Sequence, residues 1–139
     1  MIKINLAVGA KRPQRATTGA AGYDVFSSEN KIIKSGKTEA VDTGISMEIP
    51  EKYCGNIRSR SGLAKNHSIW VLNGVIDSDF RGTIKILLIN HGKEDFVVKS
   101  GMRIAQLLFT RVEFLDIVDA KVLSETDRGA KGFGHSGCY

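Results

Sequence analysis

The sequence predicts an all-β domain that carries one short helix and ends in a flexible C-terminal arm. Helical periodicity is nearly absent from its 139 residues, whereas short runs rich in β-branched and aromatic side chains recur between turn signals. The last sixteen residues, 124–139, hold four glycines and few large apolar side chains. Many short strands at this spacing are typical of a sandwich or a barrel.

Eight runs are predicted to form strands, because each combines β-forming residues with turn residues at its ends. In the run 83–90 the side chains of Ile84, Ile86 and Leu88 fall on one face, as the two-residue period of a half-buried strand requires. The predicted strands are residues 2–8, 41–49, 53–58, 69–77, 83–90, 95–99, 104–114 and 116–123.

The helix and the arm are the two exceptions to the strand pattern. The segment 61–68 is predicted to be helical, and it opens with a serine, Ser61, that could cap it. The composition changes after residue 123, beyond which too few apolar side chains remain to pack a strand or helix. We therefore expect a core over 1–123 and a mobile, glycine-rich arm over 124–139 that becomes ordered only against something else.

Size and composition indicate one soluble, intracellular domain with neither a membrane nor a nucleic-acid partner. No apolar run approaches the roughly 18 residues of a membrane helix, and the N-terminal run is too polar for a signal peptide. The net charge of +5 favours anionic ligands, but the 7% of aromatic residues lie mostly in predicted strands rather than on a binding surface. Cys54 and Cys138 lack a metal-type spacing, so two reduced thiols are expected.

The segment 74–82 places two carboxylates in an otherwise apolar, strand-like run. By strand alternation Asp77 shares a face with Val75, so that it could act as a general base if this face lines a cleft. Asp79 lies on the same face and could repel Asp77, or Arg81 could neutralise Asp79 as a structural ion pair. The alternative to a catalytic role is a solvated hairpin end that bears Asp77, Ser78 and Asp79.

A second group of residues suits phosphate recognition. Arg60 offers a two-pronged donor, Ser61 a hydroxyl, and Gly62 close approach to the backbone. The structural alternative is a surface ion pair of Arg60 beside a plain serine cap. Asp24 is either a turn residue or a metal-site residue, and Gln106, within an apolar run, is expected to bond to the backbone.

The arm carries its own candidates. Arg128 supplies charge, the glycines supply unhindered N–H groups, and Phe133 supplies one flat apolar face suited to stacking on a planar base. The alternative is an arm that docks Phe133 into the core of its own chain.

Taken together, five segments in this order resemble the homotrimeric dUTP nucleotidohydrolases (dUTPases). The resemblance extends from residue 15 to residue 137, and five such segments in one order are far more specific than any one alone. The segments are Ala21–Asp24, Arg60–Ala64, Gly74–Gly82, Arg103–Leu107 and Arg128–Gly137.

The resemblance implies a jelly-roll-type β-barrel, a homotrimer with shared active sites, a C-terminal arm that closes over the active site, and Mg²⁺ as cofactor. The implied reaction is hydrolysis of dUTP to dUMP and pyrophosphate, which limits uracil in DNA and supplies dUMP for dTMP synthesis. Asp77 would orient and deprotonate the water that attacks the α-phosphorus, while Asp24 would act on the metal through its water shell. Phe80 would lie under the deoxyribose, and the hairpin backbone would bind uracil.

By the same resemblance, other residues would hold the base, the sugar or the phosphates. The implied substrate contacts are Arg60, Ser61, Gly62, Asn73, Gly74, Val75, Ile76, Phe80, Gln106, Arg128, Phe133, Gly134, His135 and Ser136.

Three positions depart from the family pattern. Ser59 stands where proline is usual, Phe80 where tyrosine is usual, and Met102 where aspartate is usual, which leaves Arg103 short of one partner. None of these changes removes a group that the chemistry needs.

Other functions on the same pattern predict different sequences. A dCTP deaminase or a bifunctional deaminase–triphosphatase needs an added acidic residue acting on the base and a longer chain. A non-catalytic regulatory module predicts the loss of Asp77, Arg128 or Phe133, and all three are present.

Overall fold

The computed structural model describes residues 1–132, which form eleven strands and one helix. This all-β composition with a single short helix confirms the prediction from the sequence. The elements are β1 (Lys3–Leu6), β2 (Tyr23–Phe26), β3 (Lys31–Ile33), β4 (Thr38–Asp42), β5 (Ile45–Glu48), β6 (Tyr53–Arg58), α1 (Ser61–His67), β7 (Ile69–Val71), β8 (Val75–Ile76), β9 (Lys85–Asn90), β10 (Phe96–Val98) and β11 (Arg103–Arg111).

Within the described residues the strands pair into four antiparallel sheets. The largest has the order β2-β11-β6-β8, and a second has the order β4-β9-β7. Two pairs, β1-β5 and β10-β3, complete the architecture. Because most neighbours in a sheet are distant in sequence, the chain crosses repeatedly between sheets and encloses one core.

The core is built from the inward faces of these strands. In β9 the side chains of Ile86 and Leu88 are buried, and Ile84 just before the strand is buried as well, which confirms the alternation read from the sequence. The same face ends in a polar residue, Asn90, which is fully buried. Its amide donates to the carbonyls of Ile33 at 2.9 Å and Glu94 at 2.8 Å, so its burial leaves no unpaired donor.

Two of the predicted strands are each divided in the structure. The run 41–49 splits between β4 and β5 at Gly44, which adopts a φ of +64° that favours glycine. The run 69–77 splits between β7 and β8, because residues 72–74 form the turn that brings β8 onto β6. The structure also contains β2 and β3, which the sequence pattern did not reveal because they are short and interrupted by polar residues.

The predicted strand 116–123 is wrong. Over the part of the chain that the structure describes, no strand or helix follows Arg111. The side chains of Ile117 and Val118 are 98% and 80% exposed. Apolar β-forming residues need a partner strand to form a ladder, and in the isolated chain this segment has none.

Helix α1 forms where it was predicted, but the proposed cap is wrong. The residue at the N-cap position is Arg60, with extended backbone and no capping side-chain hydrogen bond, so Ser61 is already inside the helix. The helix ends at Ser68, whose N–H donates to the carbonyl of Ala64 at 3.1 Å. Among residues 1–132, no helix has the length and apolar character that a bilayer crossing requires.

The Glu29 carboxylate stabilises the connection between β2 and β3. The N–H of Asp42 donates to Glu29 Oε1 at 2.7 Å, and the Lys31 ammonium lies 3.2 Å from the same oxygen. The Asp42 N–H, assisted by Lys31, lowers the pKa of the Glu29 carboxyl below its usual value. These bonds therefore join the end of β4 to the connection between β2 and β3.

Residues 73–80, which contain β8 and are called here the β8 hairpin, pack against β6 through a close backbone contact at Gly74. The N–H of Ile57 donates to the Gly74 carbonyl at 2.6 Å, continuing the pairing of Gly55 with Ile76. A Cβ atom added at Gly74 would lie 2.8 Å from the Cβ of Ile57 and closer still to its carbonyl oxygen. Only glycine fits, because the obstructing atoms are backbone and cannot turn away.

We predict that Gly74→Ala lowers the free energy of unfolding by about 1–3 kcal/mol, since an overpacked backbone contact has to be relieved by shifting the hairpin. Urea unfolding followed by Trp70 fluorescence measures the change. Gly19→Ala is the matched control, because a Cβ there meets no atom within 4 Å. Equal stabilities of the two variants would show that the hairpin seat tolerates a side chain.

Candidate active site

The Asp24 carboxylate lies between two arginines. Arg60 Nε is 3.3 Å from Asp24 Oδ1, and Arg103 Nε is 3.0 Å from Asp24 Oδ2. The Asp24 side chain is only 15% exposed, so these ion pairs are shielded more than surface pairs are. Asp24 is held here because β2 pairs with β11 and sets it opposite Gln106.

The surroundings of Asp24 carry an excess of positive charge. The Arg103 guanidinium lies 5.2 Å from the centre of the Phe26 ring, and the Lys11 ammonium lies 5.6 Å from it. Two arginines therefore contact one carboxylate, with Lys11 on the neighbouring Phe26 ring, and this excess of positive charge attracts an anionic ligand. Arg103, which follows Met102, has Asp24 as its carboxylate partner.

Arg60, Ser61 and Gly62, which are the N-cap and first two residues of α1 and are called here the 60–62 loop, open towards solvent beside this cluster. Arg60 Nη1 also donates to the Arg103 carbonyl at 3.3 Å, which fixes its guanidinium next to Asp24. Ser61 and Gly62 are exposed, and a Cβ at Gly62 would meet no atom within 4 Å, so the 60–62 loop has room for a ligand. Arg60 does form an ion pair, but with a largely shielded carboxylate and without the serine cap that the structural alternative included.

Gln106 joins this loop from the neighbouring strand. Its Nε2 donates to the Ser59 carbonyl at 3.5 Å, as expected for an amide in an apolar run. The Ser59 hydroxyl accepts a hydrogen bond from the Val71 N–H at 2.8 Å. Asp24, Arg60 and Gln106 are thus brought together, with Ser61 and Gly62 at their edge.

A second group of predicted residues lies on the hairpin. Val75 and Asp77 are exposed on either side of buried Ile76, which confirms the predicted alternation. The Phe80 N–H donates to the Asp77 carbonyl at 3.2 Å and closes a turn, and the Phe80 side chain remains 44% exposed. The Asp77 carboxylate is therefore presented to solvent at a rigid turn.

The rest of the hairpin bonds internally. Asn73 Oδ1 accepts from the Gly74 N–H at 2.8 Å. Arg81 donates to the carbonyls of Ser78 at 2.7 Å and Phe80 at 3.0 Å. Within residues 1–132 no ion pair joins Arg81 to Asp79, so the structural alternative for these two charges is wrong.

Within one chain, the group of residues around Asp24 lies far from the hairpin that carries Asp77. Asp24 is on β2 and Asp77 follows β8, and these strands are the two edges of the four-stranded sheet. Asp24 aligns with Gln106 and Arg58, whereas Ile76 aligns with Gly55. Three strand spacings and four residues of rise correspond to a separation of about 20 Å between the two aspartates.

The arm residues form a third group. Arg128 is exposed, and its Nε donates to the Lys131 carbonyl at 3.0 Å rather than to either of the other groups. Phe133, Gly134, His135 and Ser136 lie outside the described residues.

The donor set around Asp24 suits a hydrated ion better than a directly coordinated one. Among residues 1–132 no group of three histidine, cysteine or carboxylate side chains converges to hold a metal. Each Asp24 oxygen already accepts from an arginine, which leaves a lone pair on each for a water molecule. Mg²⁺ commonly keeps several waters and takes further oxygens from phosphates.

The sequence indicates that Arg103 is a structural ion-pair partner, and the structure pairs it with Asp24. Sequence reasoning missed the part that Ser59 has in this cluster, because Ser59 was interpreted only as a departure from the family pattern. The signal for Ser59 was present, because a serine in place of a proline adds a hydroxyl beside a candidate binding loop.

Comparison with known proteins agrees with the five-segment resemblance. The sequence model of the family described as dUTPase matches residues 9–137. A Clostridium acetobutylicum protein named deoxyuridine 5'-triphosphate nucleotidohydrolase is 50% identical over 127 residues, which cover 90% of this chain and 88% of that protein. The Swinepox virus protein of the same name is 45% identical over 134 residues, covering 96% of this chain and 94% of its own.

The fold agrees as well. A solved structure of the Staphylococcus bacteriophage 80alpha dUTPase with dUpNHpp superimposes with a TM-score of 0.89 at 26% identity, and the match covers 99% of this chain and 98% of that one. The match supports the jelly-roll-type fold that the resemblance implies. The chain therefore belongs to the dUTPase family of enzymes.

Proposed function

We propose that this protein hydrolyses dUTP to dUMP and pyrophosphate, and thereby limits uracil in DNA and supplies dUMP for dTMP synthesis. The observation that carries the proposal is Asp77, an exposed carboxylate at the rigid turn of the β8 hairpin, in a chain of the dUTPase family. The arginine-rich cluster around Asp24 supplies the complementary feature, a site for a polyanion.

In the proposed mechanism Asp77 acts as the general base. It accepts a proton from a water molecule while the water oxygen forms a bond to the α-phosphorus. The bond from the α-phosphorus to the bridging oxygen breaks, and pyrophosphate leaves with that oxygen. The turn closed by the Phe80 N–H supports this role, because it fixes the backbone from which the Asp77 carboxylate projects.

The phosphates are proposed to lie against the loop of Arg60, Ser61 and Gly62, with Gln106 beside them. The position of Arg60 supports this, since its guanidinium is already oriented by Asp24 and loses little freedom on binding. Magnesium bound to the phosphates would offset their negative charge. Asp24 would contact a water of that ion, because both of its oxygens are engaged by arginines.

The base is proposed to bind along the hairpin at residues 73–76. Strand β8 is at the edge of its sheet, so backbone donors and acceptors on its outer side are available to pair with uracil. Fixed backbone groups distinguish a 4-oxo from a 4-amino base, because the wrong base leaves polar groups unpaired. The Phe80 ring offers the deoxyribose the same flat surface as a tyrosine ring and lacks only the phenolic hydroxyl.

The active protein is proposed to be a homotrimer that shares its sites between chains. The separation of about 20 Å between Asp24 and Asp77 supports sharing, because one triphosphate cannot meet both groups within a chain. An exposed apolar segment also favours assembly, since such surface is normally covered. Its exposed large side chains are Phe114, Leu115, Ile117, Val118, Val122 and Leu123.

The arm over 124–139 is proposed to close over the bound nucleotide. Arg128 would reach the γ-phosphate and Phe133 would stack on uracil. Gly134, His135 and Ser136 would add donors to the phosphates. The exposure of residues 124–132 in the isolated chain supports an arm whose partner is the ligand or another chain.

We predict that Asp77→Asn keeps nucleotide binding but loses at least about 100-fold in turnover, because the amide cannot accept the proton. Pyrophosphate release is measured with dUTP, dCTP, dTTP and UTP, each with Mg²⁺, and the wild-type protein is expected to act on dUTP alone. Asp79→Asn is the matched control, since it removes an equally exposed carboxylate two residues away.

Near-normal turnover of Asp77→Asn would remove Asp77 from its proposed role. Release from dCTP by the wild-type protein would instead favour the bifunctional relative. Binding of dUpNHpp without release from any nucleotide would favour a regulatory module.

If sites are shared, two inactive variants should complement each other. Asp77→Asn and Arg60→Ala chains, unfolded in urea and refolded as an equal mixture, are expected to regain about one quarter of the sites of the wild-type trimer. Light scattering checks that the mixture is trimeric. No recovery in a correctly sized mixture would mean that Asp77 and Arg60 of one chain serve the same site.

A chain that ends at Ser124 is expected to remain a folded trimer but to lose at least about tenfold in kcat/KM, because its sites are no longer closed to water. Circular dichroism and light scattering verify the fold and the mass, and pyrophosphate release gives the rate. Hydrolysis as fast as that of the full chain would contradict a role for the arm.

A further inference from the structure

Ser59 lies where three segments of the proposed site meet. Its hydroxyl accepts from the Val71 N–H at 2.8 Å, and its carbonyl accepts from Gln106 Nε2 at 3.5 Å. Its own peptide bond leads directly into Arg60. Ser59 is thus joined to three segments: by its peptide bond to Arg60, by its carbonyl to β11, and by its hydroxyl to β7, which leads into the β8 hairpin.

The Ser59 hydroxyl accepts the hydrogen bond of the Val71 N–H in place of a backbone carbonyl. Strand β7 is the edge of its sheet, and since the Leu72 N–H donates to the Leu87 carbonyl at 2.9 Å, the Val71 N–H points to the other side. On that side the ladder between β6 and the hairpin ends with the bond from Ile57 to Gly74. Two residues beyond Ile57, the Ser59 side chain adds one further hydrogen bond between these two parts of the chain, from the Val71 N–H.

This tie depends on the serine itself. A proline, which is usual at this position in the family, has no hydroxyl and could not accept the Val71 N–H. An alanine would leave that N–H without its partner and would free the loop from β7. The Ser59 side chain is half-buried, so water would replace the bond less well than at an exposed site.

We propose that Ser59 is a positioning residue, which holds the loop of Arg60, Ser61 and Gly62 at a fixed place relative to Gln106 and the hairpin. This inference rests on the proposed function, because its effect is on the binding of the triphosphate. Ser59 acts through Arg60 and Gln106, which hold phosphates in the ground state and the transition state alike. Its loss therefore raises KM for dUTP and leaves kcat nearly unchanged.

The test is the kinetics of Ser59→Ala with dUTP and Mg²⁺. We expect KM to rise about 3- to 10-fold, the effect of one lost hydrogen bond, with kcat within about twofold. Ser59→Thr keeps the hydroxyl and is expected to restore KM. Ser35→Ala is the matched control, since the Ser35 hydroxyl donates to the Gly92 carbonyl at 2.7 Å away from the site.

Four results would overturn the proposal: an unchanged KM in folded Ser59→Ala, an equal rise in Ser35→Ala, a fall confined to kcat, or no restoration of KM by Ser59→Thr. If Ser59→Ala does not fold, Ser59→Cys takes its place under the same criteria, because a thiol has similar size but accepts weakly. A wild-type protein that releases no pyrophosphate would refute the proposed function instead. The Ser59 inference would then be decided by calorimetric affinity for dUpNHpp, with the same 3- to 10-fold loss expected.

Discussion

The charge balance at Asp24 is the constraint on which the rest of the site depends. The guanidinium groups of Arg60 and Arg103 each contact one oxygen of the Asp24 carboxylate, and two like charges gathered at one point repel unless a carboxylate lies between them. Asp24 supplies that carboxylate from a third segment, β2. One buried charge thus joins the loop before α1, the first residue of β11 and an edge strand, and leaves a positive excess at the surface.

The four-stranded sheet determines which groups of one chain can act together. Its two edge strands carry Asp24 and the Asp77 hairpin, and the two strands between them hold these groups apart. The bond between Gln106 and Ser59 also holds the Asp24 group against this sheet. Two groups at opposite edges of one sheet are the arrangement that the proposed sharing of sites between chains needs.

Local sequence patterns were sufficient wherever one segment decides the outcome. The buried face at Ile84, Ile86 and Leu88, the helix α1, and the exposure of Asp77 all follow from the spacing of neighbours along the chain. The pattern failed where the partner is distant: 116–123 has the composition of a strand, but within residues 1–132 no strand pairs with it. The carboxylate that pairs with Arg103 and the amide that bonds to Ser59 were hidden for the same reason, because they lie 79 and 47 residues away.

The seat of the β8 hairpin has a consequence for how this segment can vary. Gly74 rests on the backbone of Ile57 and excludes any side chain, whereas the next residue, Val75, is 63% exposed and touches the sheet through its main chain. Ile76 then points back into the core. Substitutions should therefore be tolerated at Val75 and resisted at Gly74 and Ile76, and the base contacts proposed for the main chain would survive a change of the Val75 side chain.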